Sequence, residues 1–177
     1  MNIESPRLRI VPLDHQTLQI YLEADGKLER ELGLADVERT ISPEFTAVIR
    51  EKNLSALADG KDDWRFRTLW IMFDKESRQL VGDLGFKGPP SDRGEVEIGY
   101  GTHDPFQGKG YMTEAIEALA GWAFRQPGVR AVIAETDIGN DASHRVLEKN
   151  GFVRYKTIDT IMVWWRLEKD KLSKRTI

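Results

Sequence analysis

Apolar and polar residues alternate in "RLRIVPL", the pattern of a half-buried strand. From Asp14 to about Ala24 the period changes. Leu18, Tyr21 and Leu22 recur at helical spacing, and Asp14 stands before them as an N-cap. A second helix is predicted from Pro43, with Ser42 as its cap, Phe45, Val48, Ile49 and Leu57 as its apolar stripe, and "ADG" as its end. In "RTLWIMFDKESRQLVGDLGFKG" two apolar runs flank a charged turn, which predicts a hairpin. "EVEIGYG" reads as a strand with Val96, Ile98 and Tyr100 on one face and Glu95, Glu97 and Gly99 on the other. Thr113 to Arg125 is helical, with Ile116, Leu119, Ala120 and Ala123 on one side. "VRAVIAET" then predicts a strand buried on both faces, and "DASHRVLEKNG" a short helix closed by Gly151. "FVRYKT" and "TIMVWWRLE" pair antiparallel, so the adjacent Trp164 and Trp165 face opposite sides, one towards the core.

This order predicts one α/β domain with a mixed sheet over residues 1–177, and no repeat, low-complexity tract or linker divides it. Composition removes several function classes. The chain has 26 basic and 29 acidic side chains and a net charge of −3, which argues against neutralising nucleic-acid phosphates as its main task. It has no cysteine, so disulfides, thiolate nucleophiles and Cys-based zinc sites are excluded. His15, His103 and His144 are too widely spaced to suggest a metal site. "MNIESPRLRIV" lacks the apolar run of a secretory signal. No stretch approaches the ~20 apolar residues that cross a bilayer, so a cytoplasmic protein without membrane partners is expected.

Candidate chemistry centres on "PFQGKGYMTEA", where Gly108, Lys109 and Gly110 precede a helix. A glycine-bearing turn at a helix N-terminus exposes unpaired N–H groups at the positive end of the helix dipole, and this suits an anion. The same glycines could serve geometry alone, in a tight strand-to-helix connection. Neither the Walker pattern nor Gly-x-Gly-x-x-Gly is present.

With "EIGYG" before this loop and "NDASHRVLEKNGF" after the next strand, the sequence resembles the GNAT superfamily of N-acetyltransferases. Gln107, Gly110 and Met112 stand at the three defining positions of that family's Gln/Arg-x-x-Gly-x-Gly/Ala loop, with Met112 replacing the usual small residue. The added bulk must point away from the phosphates. Asn140, Ser143, Gly151 and Phe152 fit the branch containing the Rim-type ribosomal-protein N-acetyltransferases. The resemblance implies a mixed sheet of about six to seven strands with helices on both faces. It implies acetyl-CoA as acyl donor, no metal, and direct transfer to a primary amine, either a protein N-terminus or a small molecule. A homodimer is common in such folds.

By the same resemblance, Gln107, Gly108, Lys109, Gly110, Tyr111, Met112 and Thr113 grip the pyrophosphate. Ile98, Gly99 and Tyr100 lie along the pantetheine, where a backbone N–H near Gly99 or Tyr100 polarises the thioester carbonyl. The tyrosine that protonates the leaving thiolate in many members corresponds to Leu147, which cannot donate, and Ser143 stands in for it with Asn140 orienting the cofactor. Read without the family, Ser143 is a first-turn hydroxyl satisfying a backbone N–H. Glu97 is the expected general base, with Glu95 and His103 as alternatives. Its plainer reading is an outward carboxylate paired with a neighbouring cation. An α-amine, with a pKa of about 8, needs less help from a base than lysine, at about 10.4.

Acceptor-binding walls are expected from residues 25–42 and 60–67. Two further readings remain at this point. One is an acyl-CoA sensor without turnover, suggested by Met112 and Leu147. The other is an unrelated nucleotide-phosphate binder, which leaves "NDASHRVLEKNGF" unexplained.

Overall fold

In the computed structural model, which describes residues 1–60 and 63–172, the alternating segments pair into one eight-stranded sheet. Its strands are β1 (Ile3–Glu4), β2 (Leu8–Pro12), β3 (Leu69–Asp74), β4 (Leu80–Phe86), β5 (Glu95–Thr102), β6 (Ala131–Asp137), β7 (Val153–Ile158) and β8 (Met162–Glu168). They lie in the order β1-β2-β3-β4-β5-β6-β8-β7. The count exceeds the expected six to seven because β1 has only 2 residues, too few to display an alternation. Ile3 and Glu4 pair with Ile10 and Arg9. Every pairing is antiparallel except β5 with β6, whose connection passes through a helix.

α1 and α3 start where their caps predict. In α1 (His15–Glu23) the Asp14 carboxylate accepts the Thr17 N–H at 2.9 Å. α2 (Lys27–Glu31), too short for a helical period to show, follows Gly26 in a left-handed conformation. α3 (Pro43–Ile49) is capped by Ser42 on the Phe45 N–H. It runs through a π-helical turn, Arg50–Leu54, into α4 (Ser55–Ala58), so the single expected helix is interrupted. α5 (Tyr111–Phe124) begins two positions before the predicted start, directly on Gly110. α6 (Asp141–Lys149) and α7 (Lys169–Leu172) complete the chain's described part.

Helices cover both faces of the sheet. Ile116, Leu119, Ala120 and Ala123 of α5 are fully buried with Trp70, Met72, Val96, Ile98 and Val132. On the other face Leu18, Tyr21 and Ile49 join Ile71 and Leu80 in a second core. Fully burying each such large side chain contributes roughly 1.5–3 kcal/mol. Trp165 enters the first core and donates its indole N–H to Thr136 Oγ1 at 2.9 Å, while Trp164 is half-buried. Lys61 and Asp62 of the expected acceptor segment, and residues 173–177 of the charged tail, lie outside the described residues. Among the described residues no helix is long and apolar enough to cross a membrane.

Candidate active site

β5 carries the site because its two neighbours treat it differently. Against β4 it is paired from Phe86–Ile98 to Gly82–Thr102. Against β6 the pairing covers only Glu95–Ala131, Val96–Val132 and Glu97–Ile133, after which β6 continues with β8 alone. The strands therefore part beyond Glu97. Lys87 donates its N–H to the Glu97 carbonyl at 2.8 Å and His103 to the Val81 carbonyl at 3.0 Å. Odd-numbered residues of β5 thus turn their backbone groups to β4, and Ile98, Tyr100 and Thr102 turn theirs into the gap. Of the two N–H groups expected at the splay, that of Tyr100 faces the gap and that of Gly99 faces β4.

A cavity of about 680 Å³ occupies this gap, lined by β5, the glycine loop and the first turns of α6. Gly108 and Gly110 have φ of 73° and 81°. A side chain at Gly108 would meet nothing within 4 Å, so glycine is needed there for the torsion rather than for space. The N-terminus of α5 has no side-chain cap, which leaves its first N–H groups to an anion. Gln107 closes the loop by donating its amide to Asp104 Oδ1 at 2.9 Å and to the Thr102 carbonyl at 3.3 Å. Met112 is only 5 % exposed and belongs to the core under α5, while still contributing to the cavity lining. Tyr111 donates to Asp74, and the Lys109 ammonium sits 5.4 Å from the Phe106 ring.

The loop has a brace that the sequence did not announce. Arg7 donates through Nη1 to the Lys109 carbonyl at 3.0 Å and through Nε to Glu114 at 2.8 Å. Glu114 also accepts from Ser5 Oγ and the Arg7 N–H. Burial pushes the Glu114 carboxyl up, but these bonds outweigh it and the net shift is downward. Only tertiary folding brings Arg7 here. Arg145 and Lys149, also missed, line the cavity from α6, and their spacing of about one helical turn from each other was the available signal.

Asn140 and Ser143 come together as expected, with a division of labour. Asn140 Oδ1 caps α6 by accepting the Ser143 N–H at 3.0 Å. Ser143 and Tyr100 line the same cavity, and among the described residues the buried Tyr100 hydroxyl has no hydrogen-bond partner. Burial pushes the Tyr100 phenol up to about 12, with Ser143 acting weakly in the opposite direction. Leu147 is fully buried in the core, which accounts for an apolar residue at that position.

A second cavity, again of about 680 Å³, opens on the other face and shares Tyr100 and Gly101 with the first. Phe45, Val48 and Ile49 of the expected apolar stripe form its wall, joined by Thr40, Ile41 and Ser42. Of these helical residues only Ile49 is buried. Gly99 and Gly101 form part of the floor, and a Cβ at either would meet nothing within 4 Å. At one end Asp83 Oδ2 accepts the Tyr21 hydroxyl at 2.8 Å and lies 3.8 Å from His103 Nε2. Among the described residues His103 Nδ1 is buried without a partner. Burial, with the Asp83 charge adding to it, holds the Tyr21 phenol well above its ordinary range.

Glu97 does not reach either cavity. It is paired with Lys87, which also approaches Glu135 at 3.9 Å, and Glu95 is paired with Arg166. Both carboxylates thus take the outward, ion-paired arrangement.

Residues 7–153 match the family model for an acetyltransferase (GNAT) domain. The uncharacterized N-acetyltransferase YjdG of Bacillus subtilis (strain 168) is 30% identical over 152 residues, covering 85% of this chain and 89% of that protein. The uncharacterized protein YkkB of the same organism is 36% identical over 92 residues, 51% of this chain and 54% of that one. Among solved structures, the ribosomal L7/L12 alpha-N-protein acetyltransferase RimL in complex with coenzyme A has a TM-score of 0.67 at 18% identity, covering 95% of this chain and 98% of that one. A point mutant of the spermidine N-acetyltransferase SpeG from Vibrio cholerae has a TM-score of 0.66 at 14% identity, covering 97% and 99%.

Proposed function

This chain belongs to the GNAT acetyltransferases, and on that premise we propose that it carries an acetyl group from acetyl-CoA in the α6-side cavity directly to a primary amine in the α3-side cavity. The observation that carries the reading is the junction: both cavities include Tyr100 and Gly101, at the point where β5 leaves β6. Donor and acceptor can therefore meet in one ternary complex. The acceptor is a small amine or a protein N-terminal amine.

The chain's own groups fit such a donor. The left-handed glycines and the uncapped start of α5 suit the pyrophosphate, with Arg7, Arg145 and Lys149 supplying positive charge. When bound, acetyl-CoA supplies the activated acyl group and a thiolate leaving group. The Tyr100 N–H, turned into the gap, polarises the acyl carbonyl. Asn140 Nδ2, left free when its oxygen caps α6, orients the pantetheine.

For the amine proton, His103 held against Asp83 replaces Glu97 as the acceptor, because it lines the amine's cavity whereas Glu97 is held by Lys87. The Ser143 hydroxyl, backed by Tyr100, returns a proton to the thiolate. A phenol raised to about 12 stays protonated through the neutral range, as an acid must.

Calorimetry against acetyl-CoA followed by thiol release across a panel of amines tests the reading. Wild type should bind and turn over. Ser143→Ala combined with Tyr100→Phe should keep acetyl-CoA affinity and lose about 10²-fold or more in kcat. Binding without turnover on every amine would turn the assignment into an acyl-CoA sensor, and absence of binding would end it.

A further inference from the structure

The acceptor cavity has distinct ends. Asp83, His103 and Tyr21 stand at one, around the position proposed for the amine. Phe45, Val48, Ile49 and Leu69 form an apolar middle. Beyond it the stripe of α3 changes character. The cavity-facing positions continue through the π-helical turn at the same spacing, but there they become Lys52 and Asn53 before the small Ala56. A stripe made only for packing would stay apolar.

Asn53 Nδ2 donates to the Arg67 carbonyl at 2.7 Å and so ties this turn to the residue before β3 that also lines the cavity. Arg67 is held to Asp63 through Nε and Nη2, at 2.8 and 2.9 Å, which fixes its guanidinium and leaves Nη1 without a hydrogen bond among the described residues. Lys52 has no ion pair among the described residues.

Cations outnumber carboxylates along the wall. Lys52, Arg67 and Lys87 are cationic, and Asp83 is the only carboxylate among the described lining residues. Lys87 is already taken by Glu97 and Glu135. A polycation would need acidic groups at the far end, and the cavity offers cations there instead.

Resting on the acetyltransferase reading, we infer that the acceptor is an amine with an apolar body whose far end carries an anionic group, a carboxylate or a phosphate, bound by Lys52 and Arg67. Polyamines are poor acceptors.

The test uses four primary amines on one aryl-alkyl scaffold, ending in a carboxylate, a phosphonate, a carboxamide or a second ammonium. Their kcat/KM is read by thiol release with wild type, Lys52→Gln and Lys52→Glu. The better of the two anionic amines should exceed the carboxamide by about fivefold, the scale of a partly exposed ion pair, with the diamine lowest. Which anionic amine leads distinguishes carboxylate from phosphate. Lys52→Gln should collapse that ratio through KM, and Lys52→Glu should move the preference towards the diamine. A diamine as good as the anionic amines in wild type, or a ratio unchanged in Lys52→Gln, overturns the inference while leaving acetyl transfer intact. Should no amine release thiol, the acetyltransferase reading fails instead. Calorimetry with the amine-free carboxylate and phosphonate then decides the anion site: binding weakened by Lys52→Gln supports it, and no binding by wild type overturns it.

Discussion

Two glycines one sheet position apart show how a single residue type meets opposite demands. At Gly85 of β4 a Cβ would stand 2.7 Å from the Thr68 carbonyl oxygen, closer than real contacts allow. At Gly99 of β5, its direct partner across the ladder, a Cβ would meet nothing within 4 Å. The first glycine therefore serves the fold and the second keeps a cavity open. Gly85→Ala should lower stability by about 1–3 kcal/mol, read from urea unfolding, because backbone must move to admit the methyl. Gly99→Val should fold normally and keep its acetyl-CoA affinity. Its kcat/KM for the amine should fall about tenfold or more, since the three added carbons take more volume than the single methylene that a snug pocket already discriminates. In the sequence both are simply glycines within strands. Gly99 stands out there only for its place in "EIGYG", and Gly85 carries no mark at all.

At the scale of elements, one buried ion pair holds the acceptor wall in place. Arg39, in the irregular segment before α3, donates Nε to Glu29 of α2 at 2.6 Å, and both side chains are almost completely buried. The same guanidinium reaches the Tyr21 carbonyl at 3.3 Å and lies 4.4 Å from the Tyr21 ring. Tyr21 in turn donates to Asp83. The pair thus links α1, α2 and the segment leading to Thr40, Ile41 and Ser42. Arg39→Met should cost about 3–5 kcal/mol, because Glu29 is left buried without its partner. Replacing Glu29 by Met in the same chain should recover most of that loss in thermal or urea unfolding. The caps at Asp14 and Ser42 were legible because each acts within one turn of its own helix. α2 and the Arg39–Glu29 pair were not, since a five-residue helix shows no period and a partner ten positions away leaves no pattern. The π-helical turn was hidden for another reason: its residues continue a helical stripe and differ only in which backbone groups they bond.

For the whole molecule, the donor cavity couples distant parts of the chain. β2's approach supplies Arg7, α5 supplies Glu114 and α6 supplies Arg145 and Lys149. Acetyl-CoA at about a hundredfold above its Kd should raise the melting temperature by about 5–10 °C, the mass-action gain for a domain of this size. Arg7→Ala should shrink that rise as well as loosen the unliganded protein, since Glu114 and the loop lose a shared partner. An undiminished rise in the variant would remove Arg7 from the binding role.

Local rules let the sequence determine most of the elements, the caps, the glycine loop and the family's two motifs in their correct order, because periodicity, capping and turn chemistry act over a few residues. Family resemblance added the strand splay, the acyl donor and the Ser143 position. The tertiary structure alone decided which charged residues face a cavity. Glu97 and His103 sit on the same alternating face of one chain segment, yet Lys87, just past the end of the neighbouring strand, holds the first and Asp83 and Tyr21 surround the second. An ionisable group's role follows from the charges and the solvent around it. Those are set by strands and helices that meet only when the sheet has formed.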